Sequence, residues 1–261
     1  MIAALRYEWV RVSTIRSTKI ALIITLLGAG LLGWLASTPT YSNFDETGNP
    51  VGPPTVGWWD AFAQPLLFTA ILASVVAAQN IGQEYRFGLI RLTLTAFPQR
   101  AQMVSAKLIS VVLTGVVFAL VSYAASWVGV TLRGYPTPPP EATPVDSTYL
   151  LRGVVFLVLW SLSAWALAGL TRQTAIGIAV PVVSGFIVEQ IVGGILADRA
   201  PWLQDVLPWS NATRWFAPEI IPSEGVDQHF PPVGWAAVGV FAVWVLVLVV
   251  LEIVAFLRRD A

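Results

Sequence analysis

The chain is 261 residues long, 56% hydrophobic and 11% charged, with a mean hydropathy of +0.71. Soluble domains carry roughly 25% charged residues, so a water-facing surface for a globule of this size is excluded, as is disorder in a chain this apolar. Fifteen Lys and Arg balance fifteen Asp and Glu, which leaves no global pull toward nucleic acid, and zero Cys with one His, His229, excludes disulfides, thiolate chemistry and paired-His zinc motifs.

The remaining class is an integral membrane protein, and twelve Trp suit a chain with two membrane interfaces. Residues 1–19 set Ile2, Leu5, Trp9 and Val12 on one helical stripe, with Glu8 and Arg11 off it. That pattern predicts a helix lying in the inner interface. A basic segment that only sets topology is the simpler reading of the same residues. A cleaved signal peptide fits less well, because this stretch has helical periodicity of its own.

Six apolar runs follow, at 20–37, 61–82, 102–131, 151–170, 174–197 and 234–257. About 20 residues of helix cross a hydrocarbon core of about 30 Å, so each is read as a span. Thr38-Pro39, Phe97-Pro98, Pro136 to Pro140 and Pro231-Pro232 punctuate them. Arg6, Arg11, Arg16, Lys19, Arg86, Arg91, Arg100, Lys107, Arg172, Arg258 and Arg259 fall on one side, and only Arg133, Arg152, Arg199 and Arg214 on the other. This asymmetry places both termini in the cytoplasm.

Between the second and third runs, Glu84, Gly88, Arg91 and Thr95 recur at helical spacing, and so do Tyr85, Leu89, Leu92 and Ala96. The two stripes predict one amphipathic helix over 84–96, stopped by Phe97-Pro98, with Gly88 serving a close approach. The plainer alternative is a loop whose basic residues obey the inside rule, with Glu84 and Arg91 solvated.

In the fifth run, Glu189 lies beside Gln190. A charge at a span centre costs about 2.5–3.5 kcal/mol on insertion scales, so these two are candidates for a translocation cavity. A carboxyl hydrogen-bonded between helices is the competing reading. Pro181 is expected to bend this span, and Glu252, near Arg258, reads as structural. The outer segment 198–233 combines Trp202, Trp209 and Trp215 with five acids, which suits either helices dipping back into the outer leaflet or an external cap. Asn211-Ala212-Thr213 matches a glycosylation sequon, a pattern common by chance. Asp227 with His229 is at most a weak metal pair, and no metal site is expected.

Glu84-Tyr85-Arg86, Gly88, Arg91, Phe97-Pro98 with Arg100, and Ala106-Lys107 together resemble the permease signature of type-2 ATP-binding-cassette (ABC) exporters. The likeness extends in layout to the whole chain. Leu89 departs from it, standing where a Thr is common. The resemblance implies an all-α integral membrane fold of six transmembrane helices, with an N-terminal interfacial helix and a cytoplasmic coupling helix, in the bacterial plasma membrane. It implies cytoplasmic ABC ATPase subunits as partners, contacted by Glu84, Tyr85, Arg86, Gly88, Arg91, Pro98 and Arg100. A second permease subunit, in a homo- or heterodimer, completes the expected membrane part. No G-x-x-x-x-G-K-[ST] occurs, so the chain is not expected to be an enzyme, and ATP and Mg belong on the partner. Export of a hydrophobic or amphipathic cargo such as a drug, antibiotic or lipid is the expected function. The alternatives are a secondary transporter, for which a repeat and more buried charges are wanted, and a non-transporting scaffold or assembly subunit.

Overall fold

The computed structural model of the chain describes residues 2–36, 43–44, 47, 50–51, 58–96, 99–134, 148–196, 199–215 and 232–258. Helix α1 (Ile2–Thr14) passes through Ile15 into α2 (Arg16–Ala36). Strands β1 (Asn43–Phe44) and β2 (Pro50–Val51) form a two-residue antiparallel pair beyond it. Then come α3 (Trp58–Arg86), α4 (Ile90–Ala96), α5 (Arg100–Arg133), α6 (Tyr149–Thr171) and α7 (Thr174–Val183). A π-helical turn, Ser184–Val188, joins α7 to α8 (Glu189–Leu196); α9 (Leu203–Val206), α10 (Pro208–Thr213) and α11 (Gly234–Arg258) complete the fold.

Among the described residues the fold is all-helical apart from the small strand pair, with six helical segments long and apolar enough to cross a membrane. Helices outrun the apolar runs that mark them: α2 begins at Arg16 and α3 continues to Arg86. Charged residues end the hydrocarbon but not the helix, because helical hydrogen bonding persists into the headgroup region. With 34 residues, α5 is about 50 Å long and projects beyond a bilayer core.

Among the six, α3 and α6 are the most enclosed, while α2, the α7–α8 segment and α11 keep much of their apolar surface outward. Lipid is as apolar as Leu, so helices here associate through close packing and interhelical hydrogen bonds. Around α6, Phe156 stacks on Trp215 with centroids 5.7 Å apart, and Trp160 sits 5.6 Å from Phe156 and 6.3 Å from Phe241. The fully buried indole of Trp160 donates to Ser74 Oγ at 2.7 Å. Where α2 crosses α5, a Cβ at Gly33 would lie 2.8 Å from the Ser126 backbone, so only glycine permits that approach.

The outer segment enters the helical bundle over its described part. Trp215 is fully buried, and Ser210, Asn211 and Ala212 of α10 are buried as well. Asn211 donates its side-chain amide to the carbonyls of Gln204 at 3.0 Å and Leu207 at 2.8 Å. That amide is inaccessible in the folded protein, where it serves the packing of α10. His229 and Asp227 lie outside the described residues.

Pro181 is followed within three residues by the π-helical turn. Proline lacks the N–H for one ladder bond, and a wider i→i+5 register is one way a helix continues past such a gap. Gln190 Nε2 donates to the Gly185 carbonyl of that turn at 3.3 Å.

Candidate functional site

Helix α1 turns its polar face toward the protein. Ala4 and Glu8 are buried, whereas Ile2 and Trp9 of the apolar stripe are exposed. Glu8 and Arg11 are one turn apart on α1, as are Asn80 and Glu84 on α3, so each pair shares a helix face. Lys107 projects from α5 between them.

Lys107 Nζ lies 2.8 Å from Glu8 Oε1 and 2.6 Å from Glu84 Oε1, and reaches the Asn80 carbonyl at 3.4 Å. All three ammonium protons therefore have acceptors. Arg11 pairs with the same Glu84 oxygen at 2.5 Å and with Glu8 Oε2 at 3.6 Å, and also donates to the Gln79 carbonyl. Asn80 Nδ2 donates to Glu8 Oε2 at 3.0 Å. Ser17, at the start of α2, donates to Gln79 Oε1 at 2.7 Å. Two carboxylates and two cations make a charge-neutral cluster, and Glu8, Glu84 and Lys107 are fully buried. Isolated charges are not tolerated in such a place, but a paired and hydrogen-bonded set is. The cluster binds α1, α3 and α5 at one end of the bundle.

Six residues after Asn80, at Arg86, helix α3 ends in a defined way. Gly88 has φ +65°, its N–H donates to the Tyr85 carbonyl at 3.2 Å, and the Leu89 N–H reaches the Glu84 carbonyl at 2.9 Å. This pair of bonds around a left-handed glycine is the Schellman ending of a helix. The expected continuous helix over 84–96 is therefore two elements with a turn at Phe87–Leu89. Nothing lies within 4 Å of a Cβ built on Gly88, so its role is the positive φ and not a close approach.

The turn divides the expected contact residues. Contrary to the expectation from the sequence, Glu84 is not presented to solvent: its carboxylate is buried between Lys107 and Arg11. Tyr85 is half-buried, with the Arg172 guanidinium 5.7 Å above its ring. Arg86 is exposed beside Phe87, and Phe87 and Leu92 are 63% and 66% exposed. Thr93 faces inward and is buried. Arg100 NH1 donates to the Leu257 carbonyl at 3.3 Å, a cation at the C-terminal end of α11. The Arg91 side chain and Pro98 lie outside the described residues.

At the other end, Glu189 is buried and its Oε2 accepts the Ser210 backbone N–H at 2.6 Å. Ser210 stands in the first turn of α10, so Glu189 tethers the outer segment to the fifth span. Gln190 contacts Gly185 and Thr213. These bonds match the reading of Glu189 as a hydrogen-bonded carboxyl between elements.

Sequence reasoning took Glu189 as the chief charge within a span and passed over Lys107, which lies inside the 102–131 run. It also left Glu8 off the stripe without a partner. The available signal was the pair itself: one acid in a basic first segment, and one cation within an apolar run.

Residues 5–188 match the family model described as ABC-2 family transporter protein. No curated protein matches the chain.

Proposed function

The chain belongs to the ABC-2 family of membrane transporter proteins, and from that premise we propose that it is the permease subunit of an ATP-driven exporter. It sits in the bacterial plasma membrane with both termini in the cytoplasm, as the Lys/Arg asymmetry supports. Its partners are cytoplasmic ABC ATPase subunits, which carry ATP and Mg, and a second permease subunit. The chain itself does no chemistry. The cargo is hydrophobic or amphipathic, and it leaves the cell when closure of the ATPases moves the helices joined by the inner cluster.

One observation carries this reading. Phe87 and Leu89 in the turn and Leu92 on α4 expose apolar surface, next to Arg86, at the end of the bundle where cations collect. Exposed apolar side chains beside a charge are the makings of a protein contact. Behind them, α3 is joined to α1 and α5 by buried ion pairs, so a push on α4 is received by three helices together.

The test is co-purification. The tagged full chain extracted in mild detergent is expected to bring an ABC ATPase with it, and Leu92→Asp is expected to lose that partner while eluting as a folded protein. Retention of the ATPase by both Leu92→Asp and Phe87→Asp overturns this docking surface. Absence of any ATPase from the wild-type preparation overturns the exporter reading.

A further inference from the structure

Beside the ion cluster, the apolar stripe of α1 together with α2 and α5 lines a cavity of about 620 Å³. Leu5 and Trp9 of α1 form one wall, Leu22 of α2 a second, and Leu113 and Phe118 of α5 the third, with Arg6 at its edge. Such a volume falls in the range of small-molecule sites, roughly 300–1,000 Å³. Its few polar wall groups do not favour water, since a hydrated cavity must offer each water two to four partners. Thr114, on the α5 wall, already bonds back to the Ser110 carbonyl at 2.8 Å.

Along α5 the lining residues run from Ile109 to Phe118. At 1.5 Å per residue this is about 14 Å, close to half of a hydrocarbon core of about 30 Å. The space thus has the depth of a single leaflet. Its charge is also one-sided. Of the ionisable residues in α1 and the start of α2, Glu8 and Arg11 are occupied in the cluster, leaving Arg6, Arg16 and Lys19 exposed. Cations at this depth attract anionic headgroups.

We propose that this cavity holds one acyl chain of an anionic phospholipid, whose phosphate is met by Arg6. The chain fills the space lined by α1, α2 and α5 and supports α1 beside the ion cluster. Which leaflet supplies the lipid rests on the orientation given under the proposed function; the site itself does not.

The experiment uses the full chain in phosphatidylcholine vesicles that carry a minor fraction of phosphatidylglycerol with a photoactivatable diazirine in its acyl chain. Labelling is expected to concentrate on peptides covering residues 2–13 and 109–118. Arg6→Gln, at an exposed position, is expected to reduce that labelling about fivefold, the worth of one cation near an anionic surface. Leu113→Trp puts a larger ring into the cavity and is expected to reduce labelling further, with thermal unfolding run alongside to show that the variant is folded. Even labelling of every lipid-facing helix, equal labelling by a phosphatidylcholine probe, or unchanged labelling in both variants overturns the site. Loss of labelling when ATP is added to the ATPase-bound complex before illumination also overturns it, since the occupant would then be cargo. ATPase co-purification is scored on the same samples. Labelling lost with the ATPase retained rejects the lipid site alone, and the reverse rejects the exporter reading alone.

Discussion

The two ends of the bundle each bury a glutamate, and they hold it by different means. At the end where α1, α3 and α5 meet, Glu84 shares one oxygen between Lys107 and Arg11, drawn from helices 23 and 73 positions away in the chain. At the other end, Glu189 accepts a backbone N–H from Ser210, only 21 residues on. The first arrangement ties three helices together with full charges; the second pins the short helix α10 with a hydrogen bond. Removing a partner therefore has unequal consequences. A buried ion whose counter-charge is deleted stays buried and uncompensated, whereas a hydrogen-bond acceptor can be replaced by a neutral one.

The largest expected effect sharpens that contrast. Lys107→Met leaves Glu8 and Glu84 with Arg11 as their only cation in the cluster, and is expected to destabilise the chain by about 3–5 kcal/mol. Thermal unfolding in detergent, followed by Trp fluorescence, measures it. Adding Glu84→Gln to this variant is expected to recover part of the loss; a further loss instead would break the comparison by showing that charge balance is not what the cluster supplies.

Next in size is Gly88→Ala, which puts a Cβ on a left-handed residue at a cost of about 1–2 kcal/mol. Because the penalty falls at the turn between α3 and α4, ATPase co-purification is expected to weaken together with stability. The smallest effect is expected at the Glu189 end. Glu189→Gln keeps an acceptor for the Ser210 N–H and is expected to cost about 1 kcal/mol or less, with proteolysis of the 203–215 segment as the readout. A loss from Glu189→Gln as large as that from Lys107→Met would erase the distinction between the two ends.

Much of the architecture was readable because a bilayer imposes a simple rule, about 20 apolar residues for each crossing. The short helix before Phe97-Pro98 was only half readable. Glu84, Gly88, Arg91 and Thr95 satisfy helical spacing, but the same spacing is met when one helix ends and another begins after a left-handed glycine, and periodicity does not see φ. The exposure of Glu84 was misread for a related reason. A carboxylate flanked by basic residues looks solvated until the partners that bury it are brought in from other helices.

What the sequence determined by itself was local: the apolar helices and their order, since hydrophobic length acts on each segment independently of its neighbours. The tertiary structure alone decided which charges meet. Glu8, Glu84 and Lys107 are separated by up to 99 positions, and the burial cost of the two carboxylates is offset by Lys107 and Arg11 together. No window of the chain contains that compensation, so the lock between α1, α3 and α5 exists only once all three helices are side by side.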